Sequence, residues 1–142
     1  MRTPAWTEDE LVLAGALVVQ NGWRELRTGD LRVQELSELL QSLPIHSAEA
    51  RALRGFRSPD IVSRKTTDFA TNRPGYAGGA TRCGKPTLLM IDAFMARKAE
   101  MLQAAQAIED GIASGELYRI PPQPDEEDES GVTAVEGRLL AR

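Results

Sequence analysis

The sequence predicts an all-α fold: a compact bundle of about four helices with a glycine-rich basic loop and a disordered acidic C-terminal tail. Three observations carry this. Apolar residues recur at helical spacing in four separate segments, and no run alternates polar and apolar residues cleanly over several positions. Helix caps and breakers fall between those segments, and the run from Pro121 to Gly131 is dominated by acids and prolines.

The first helix opens at Thr7-Glu8-Asp9-Glu10, where a hydroxyl and a carboxylate three residues later form a capping box at the mouth of an apolar run. It spans about residues 8–20, with Leu11, Leu13, Ala14, Leu17 and Val18 at helical spacing. Asn21-Gly22 supplies a stop through a residue tolerant of positive φ. A second helix follows Asp30, carries Val33, Leu36, Leu39 and Leu40 on one stripe, and ends at Leu43-Pro44, since proline disfavours helical geometry before it. Ser58-Pro59 starts a third helix that runs to about residue 69: serine caps an orphan donor, and proline at the first helical position loses nothing. Its four-residue spacings put Ile61, Lys65 and Phe69 on one side and pair Asp60 with Arg64.

The stretch from Thr71 to Lys85 holds four glycines and a proline, too many to continue a helix, and reads as an ordered or semi-ordered loop. Beyond Pro86 the longest periodic segment, from Leu88 through Phe94 and Met101 to Ile108, predicts a long fourth helix, whole or broken once, to about Gly111 or Gly115. Trp6, Trp23, Phe56, Phe69 and Phe94 are assigned to the core. The chain of 142 residues accommodates one helical head domain over residues 1–120 and a linker or tail over 121–142, where Pro-Pro-Gln-Pro-Asp-Glu-Glu-Asp-Glu cannot bury enough surface to offset its ordering entropy.

Charge is sharply polarised along the chain. Residues 51–98 hold ten basic and three acidic side chains, whereas residues 1–50 hold four and eight, and the remainder three and ten. A cation island in an acidic protein (net charge −4) is the electrostatic footprint expected of a nucleic-acid binder. The alternative is an ordinary solvated face. The single cysteine, Cys83, allows no internal disulfide and fits a reducing, cytoplasmic setting, nucleoid-associated if DNA is the partner. Neither a signal-peptide pattern nor an apolar stretch of about 20 residues is present, so no membrane is expected.

Polyanion binding needs cations and backbone N–H groups on one surface. Arg57 precedes the Ser58 cap, the N-terminus of that helix can itself receive a phosphate, and the loop contributes Arg73, Arg82 and Lys85 among glycines that let a backbone approach closely. Arg64 and Lys65 reach phosphates or a guanine edge, or Arg64 merely pairs with Asp60. Phosphate contact is favoured over base readout for all these cations. Tyr76 and Asn72 are the candidates for base stacking and edge hydrogen bonding, although Tyr76 anchoring its own loop is an equal alternative.

Catalytic patterns fare poorly. Ser37 and Ser47 have no partnered base; Cys83 has basic neighbours that would lower its pKa but no histidine near it in sequence. The lone His46 assembles neither a metal nuclease site nor a zinc site, so no cofactor is expected. Gly78 to Thr87 superficially resembles a phosphate-binding P-loop but lacks the preceding strand, and a proline separates Lys85 from Thr87.

The order Trp6-Thr7 with Glu10 to Ala14, then Glu35-Leu36-Ser37 with Leu43-Pro44, then Phe56-Arg57-Ser58-Pro59 with Val62, Lys65 and Phe69, then the Gly78 and Gly84-Lys85 loop, resembles the N-terminal head domain of McrA-like HNH restriction endonucleases of actinomycetes. The resemblance covers roughly residues 6–95. The closing residues 135–142 resemble the segment that leads into the nuclease domain of those enzymes. It implies a reader of duplex DNA carrying 5-methylcytosine or 5-hydroxymethylcytosine, not itself an enzyme, with a possible HNH nuclease domain in cis. The alternatives are a protein-interaction module, using the acidic tail and the fourth helix, or an inactive fragment of an endonuclease.

Overall fold

The computed structural model describes residues 2–113, and every regular element among them is helical. The acidic segment expected from Pro121 onward lies outside the described residues. Six helices follow in order: α1 (Glu8–Gln20), α2 (Leu31–Ser42), α3 (Ala48–Arg51), α4 (Pro59–Thr71), α5 (Lys85–Ala96) and α6 (Lys98–Ala113).

The caps form as the sequence dictates. Thr7 Oγ1 accepts from Glu10 N (3.1 Å) while Glu10 Oε1 accepts from Thr7 N (2.8 Å), closing the capping box of α1. After α1 the chain turns through positive φ at both Gly22 (71°) and Trp23 (63°). Asp30 caps α2, and Leu43 is extended (ψ 135°) as the following Pro44 requires. Ser58 Oγ accepts from Ile61 N (3.3 Å) at the start of α4.

Helix α1 is apolar on almost every side, so it can be stable only as the centre of the bundle. It packs against α2, α4, α5 and α6, and the core is built around Leu11, Leu13, Ala14 and Val18 together with Leu40, Val62, Phe69, Ile91, Phe94 and Ile108. Phe56 is buried as expected, and Trp6 and Trp23 are partly buried against the core. The close approach rests on one glycine. A Cβ at Gly15 would lie 2.5 Å from Phe94 Cε2 and 2.9 Å from Phe69 Cε1, so only glycine lets α4 and α5 seat both rings on α1.

One break the sequence allowed is present, and one short element was not foreseen. The long fourth segment is two helices, interrupted at Arg97 (φ −138°, ψ 57°), and the interruption lets α5 and α6 each pack on α1 and on one another. No glycine or proline marks that break, because it is imposed by packing on a central helix. The single turn α3, capped by Ser47, is too short to show a periodicity.

The connection from α1 to α2 is tied to α4 through polar contacts. Thr66, fully buried, accepts from Leu26 N (3.0 Å), and Ser63 Oγ donates to Leu26 O (2.7 Å). Thr66→Val keeps the shape but leaves the buried Leu26 N–H without an acceptor, and should destabilise the domain by about 1–3 kcal/mol. Urea unfolding followed by tryptophan fluorescence measures it; an unchanged midpoint would mean that this tie contributes nothing.

Candidate nucleic-acid interface

Arg57 sits just before the Ser58 cap, and its backbone is left-handed (φ 46°), a conformation that costs a non-glycine residue about 1–2 kcal/mol. That turn aims the side chain inward. Nε donates to Glu10 Oε2 (2.8 Å), and Nη2 donates to Glu10 Oε1 (3.0 Å) and to the Pro4 and Ala5 carbonyls (both 3.1 Å). His46 Nε2 lies 3.2 Å from Nη2 and 3.1 Å from Glu10 Oε1. The guanidinium is sandwiched between the rings of Phe56 (4.6 Å) and Trp6 (5.0 Å) and is 2% exposed.

The expectation that Arg57 meets a phosphate is therefore corrected. Its charge is matched by Glu10 inside the protein, because an unpaired guanidinium or carboxylate at that depth would be far too costly. Burial alone would push the Glu10 carboxyl up; the charge of Arg57 and hydrogen bonding by His46 and Arg57 outweigh it and hold the group far below the usual carboxylate range. His46 belongs to this network and stacks edge-on against Phe56 (5.6 Å between centroids).

The remaining sequence candidates cluster around α4, the glycine-rich loop and the start of α5. Arg64 is exposed on α4, and Asp60, its expected partner one turn back, instead accepts from the Thr28 hydroxyl (2.9 Å). Lys65 is partly buried. Its ammonium lies 3.6 Å from Asp68 Oδ2, 3.3 Å from Thr87 Oγ1 and 5.4 Å from the centroid of Trp6. Burial lowers its pKa, with Asp68 opposing that shift. Lys65 thus ties α4 to the first turn of α5 and is only partly free to meet an external anion.

The loop is held rather than open. Thr81 Oγ1 donates to Asp68 Oδ1 (2.6 Å), Thr81 N donates to Thr71 Oγ1 (3.0 Å), and the Asn72 amide donates to the Asp68 and Thr81 carbonyls (2.9 and 3.0 Å). Both donor hydrogens of Asn72 are spent there, so its expected role at a base edge is reduced to the acceptor Oδ1. Arg73 Nη1 donates to the carbonyls of Trp23 and Ala70, and its guanidinium stacks 5.1 Å from the Tyr76 ring. Tyr76 in turn covers Gly78, where a Cβ would come within 2.9 Å of the ring. This geometry favours Tyr76 as an anchor of its own loop.

Arg82 and Lys85 are exposed on either side of Gly84, the N-cap of α5. Glycine offers no side-chain cap; Pro86 brings no N–H to the first turn of α5, and Leu88 N donates to Gly84 O (3.3 Å), so the Lys85 and Thr87 N–H groups are the ones left without a side-chain cap. Cys83, between Arg82 and Lys85, has its thiol pushed up by burial and by Asp68, with Lys65 opposing; the basic neighbours do not make it the low-pKa thiol that sequence suggests. The pins that organise this region, Asp68, Thr71, Thr81 and Thr87, were not marked by sequence, since hydroxyls and a single acid carry no pattern until their neighbours are known.

Among the described residues no helix is long and apolar enough to cross a membrane, and no group of three or more His, Cys, Asp or Glu side chains is arranged to hold a metal ion. Comparison with protein-family models, with curated proteins and with solved structures finds no match to this chain.

Proposed function

We propose that this domain binds duplex DNA through the surface formed by the exposed side of α4, the glycine-rich loop and the first turn of α5. The observation that carries the reading is the pair of exposed cations, Arg82 and Lys85, flanking a helix N-terminus that has no side-chain cap. The positive end of a helix dipole and adjacent cations together suit a phosphate, although Pro86 contributes no N–H donor to that turn. Arg64 on α4 adds an exposed charge, while Lys65 and Ser58 contribute to the scaffold beneath. Tyr76, half-buried on Arg73, is the aromatic group nearest to hand for sensing a base.

Recognition of 5-methylcytosine or 5-hydroxymethylcytosine is the finer half of the proposal and rests on the resemblance of residues 6–95 to the McrA-like head domains. In this reading the chain is a reader without its own nuclease centre. The same cytoplasmic protein would act near the nucleoid, with cleavage supplied by an HNH domain where one is joined to it.

Fluorescence anisotropy with methylated and unmethylated duplexes of one sequence, between 50 and 200 mM salt, tests both halves. Affinity should fall linearly on a logarithmic salt axis, and Arg82→Ala or Lys85→Ala should each weaken binding to all duplexes and reduce the slope by about one. Tyr76→Ala should reduce the preference for the modified duplex. Equal affinity for both duplexes removes the modified-base half, and the absence of salt-dependent binding removes the DNA reading. The latter result, with a mass that rises with concentration, would favour a protein-interaction module, to which the exposed Leu88, Leu89 and Met95 of α5 are suited.

A further inference from the structure

We propose that the connection between α1 and α2 is a second phosphate-contacting limb, so that α4 lies in the major groove of the duplex with cations on both of its flanks and Arg64 turned to the base edges. The inference rests on the DNA-binding reading and says how that surface engages its partner.

The connection runs antiparallel to α4 and is tied to it at three levels. Just past the end of α4 the Arg73 guanidinium donates to Trp23 O. In its middle Leu26 N donates to Thr66 Oγ1 (3.0 Å) and Leu26 O accepts from Ser63 Oγ (2.7 Å), and at its start Asp60 Oδ1 accepts from the Thr28 hydroxyl (2.9 Å). The glycine-rich loop and the first turn of α5 are fixed to the other side of the helix, by Asp68 on Thr81 and Lys65 on Thr87. At about 100° per residue, Ser63 and Thr66 fall on one flank and Lys65 and Asp68 on the other, roughly 160° away. Arg64 stands exposed on the crest between them, opposite the buried Val62 and Phe69.

Both flanks carry positive charge. Arg24 and Arg27 are exposed on the connection, as Arg82 and Lys85 are on the far side, and among the described residues no side chain of these four or of Arg64 is held by a hydrogen bond or an ion pair. The acids nearby are largely spoken for: Asp60 is engaged by Thr28, and Asp30 pairs with Arg32 (2.8 Å). Glu25 is the one acid in residues 23–29, and it is exposed. An α-helix is about 10–12 Å across and the major groove about 12 Å wide, so a helix seated there brings each flank to a different phosphate strand. Phosphate contacts then fix the register, and an arginine fork on the crest matches the O6 and N7 acceptors of guanine. Arg24 and Arg27 lie outside the basic span of residues 51–98, in a stretch where acids outnumber bases, so charge counted along the chain conceals them.

Salt titrations of the full chain on the methylated and unmethylated duplexes test the limb. Arg24→Gln and Arg27→Gln should each weaken binding and reduce the logarithmic salt slope by about one, matching the effect expected of Arg82→Ala and Lys85→Ala on the opposite flank. Glu25→Gln should strengthen binding, since it removes the one acid of the limb. These side chains support no contact of the fold, and their variants should keep the parent's thermal midpoint. Replacing every guanine by 7-deazaguanine removes the N7 acceptor from the major groove alone. The parent should then lose about fivefold or more in affinity, whereas Arg64→Gln, with no such contact left to lose, should bind both duplexes alike. Binding that is weakened by Arg82→Ala and Lys85→Ala but not by Arg24→Gln or Arg27→Gln, or a 7-deazaguanine duplex bound as tightly by the parent as the plain one, would overturn the proposal and leave the DNA reading in place. A parent chain that binds no duplex would overturn both.

Discussion

Arg57→Ala should destabilise the domain by about 3–5 kcal/mol, because it strands the fully buried Glu10 carboxylate without its counter-charge. For a small domain with a total stability of about 5–15 kcal/mol, that is a large fraction of what holds it folded. The loss extends to the Pro4 and Ala5 carbonyls that the guanidinium holds and to the stacking on Trp6. Arg57→Lys should rescue little: a single ammonium cannot reproduce a fork that reaches both carboxylate oxygens and two carbonyls. Chemical denaturation read through Trp6 fluorescence measures the change. An Arg57→Ala variant as stable as the parent, yet impaired in DNA binding, would return this residue to the surface role its charge first suggested.

The same network fixes the sign of the acid response. The Glu10 carboxyl titrates lower in the folded protein than its ordinary value of about 4.3, so the folded state binds fewer protons than the unfolded chain as pH falls through that range. Its contribution is complete above about pH 5 and is progressively lost below it. Removing both charges together, as in Glu10→Gln with Arg57→Met, should cost much less than either single change and should flatten this part of the pH profile. A stability that does not decline between pH 5 and pH 3 would contradict the assignment.

Gly15→Ala should cost about 1–3 kcal/mol, although alanine is the better helix former by about 1 kcal/mol. The added methyl meets the Phe94 and Phe69 rings at 2.5 and 2.9 Å, and two aromatic side chains enclosed in the core cannot both retreat without moving α4 or α5. Gly111→Ala is the internal control: a Cβ there has nothing within 4 Å, and the substitution should be neutral or stabilising. Comparing thermal midpoints of the two variants separates helix propensity from packing. Equal and opposite outcomes to those stated would mean that the three-helix junction is looser than its contacts suggest.

The local features of this protein were legible without coordinates where the cause is local. The capping box at Thr7 and Glu10, the Asp30 and Ser58 caps, the positive φ after Asn21 and the stop before Pro44 depend on residues within a turn of one another. The candidate site was only partly legible. Arg64, Arg82 and Lys85 lie exposed as their charge implies, but Arg73 commits Nη1 and Asn72 both its amide hydrogens within the protein, and the exposed loop is pinned by Thr81 to Asp68.

Composition and periodicity alone determined that the chain is helical, where its first helices begin and end, and that cations concentrate in its central third. Tertiary structure alone decided which cations remain available. Arg57 finds Glu10 across 47 positions of sequence, and Lys65 finds Thr87 across 22. An ion pair or a helix break of this kind depends on distances in space, and charge patterning along a chain carries no information about them until the apolar stripes have packed.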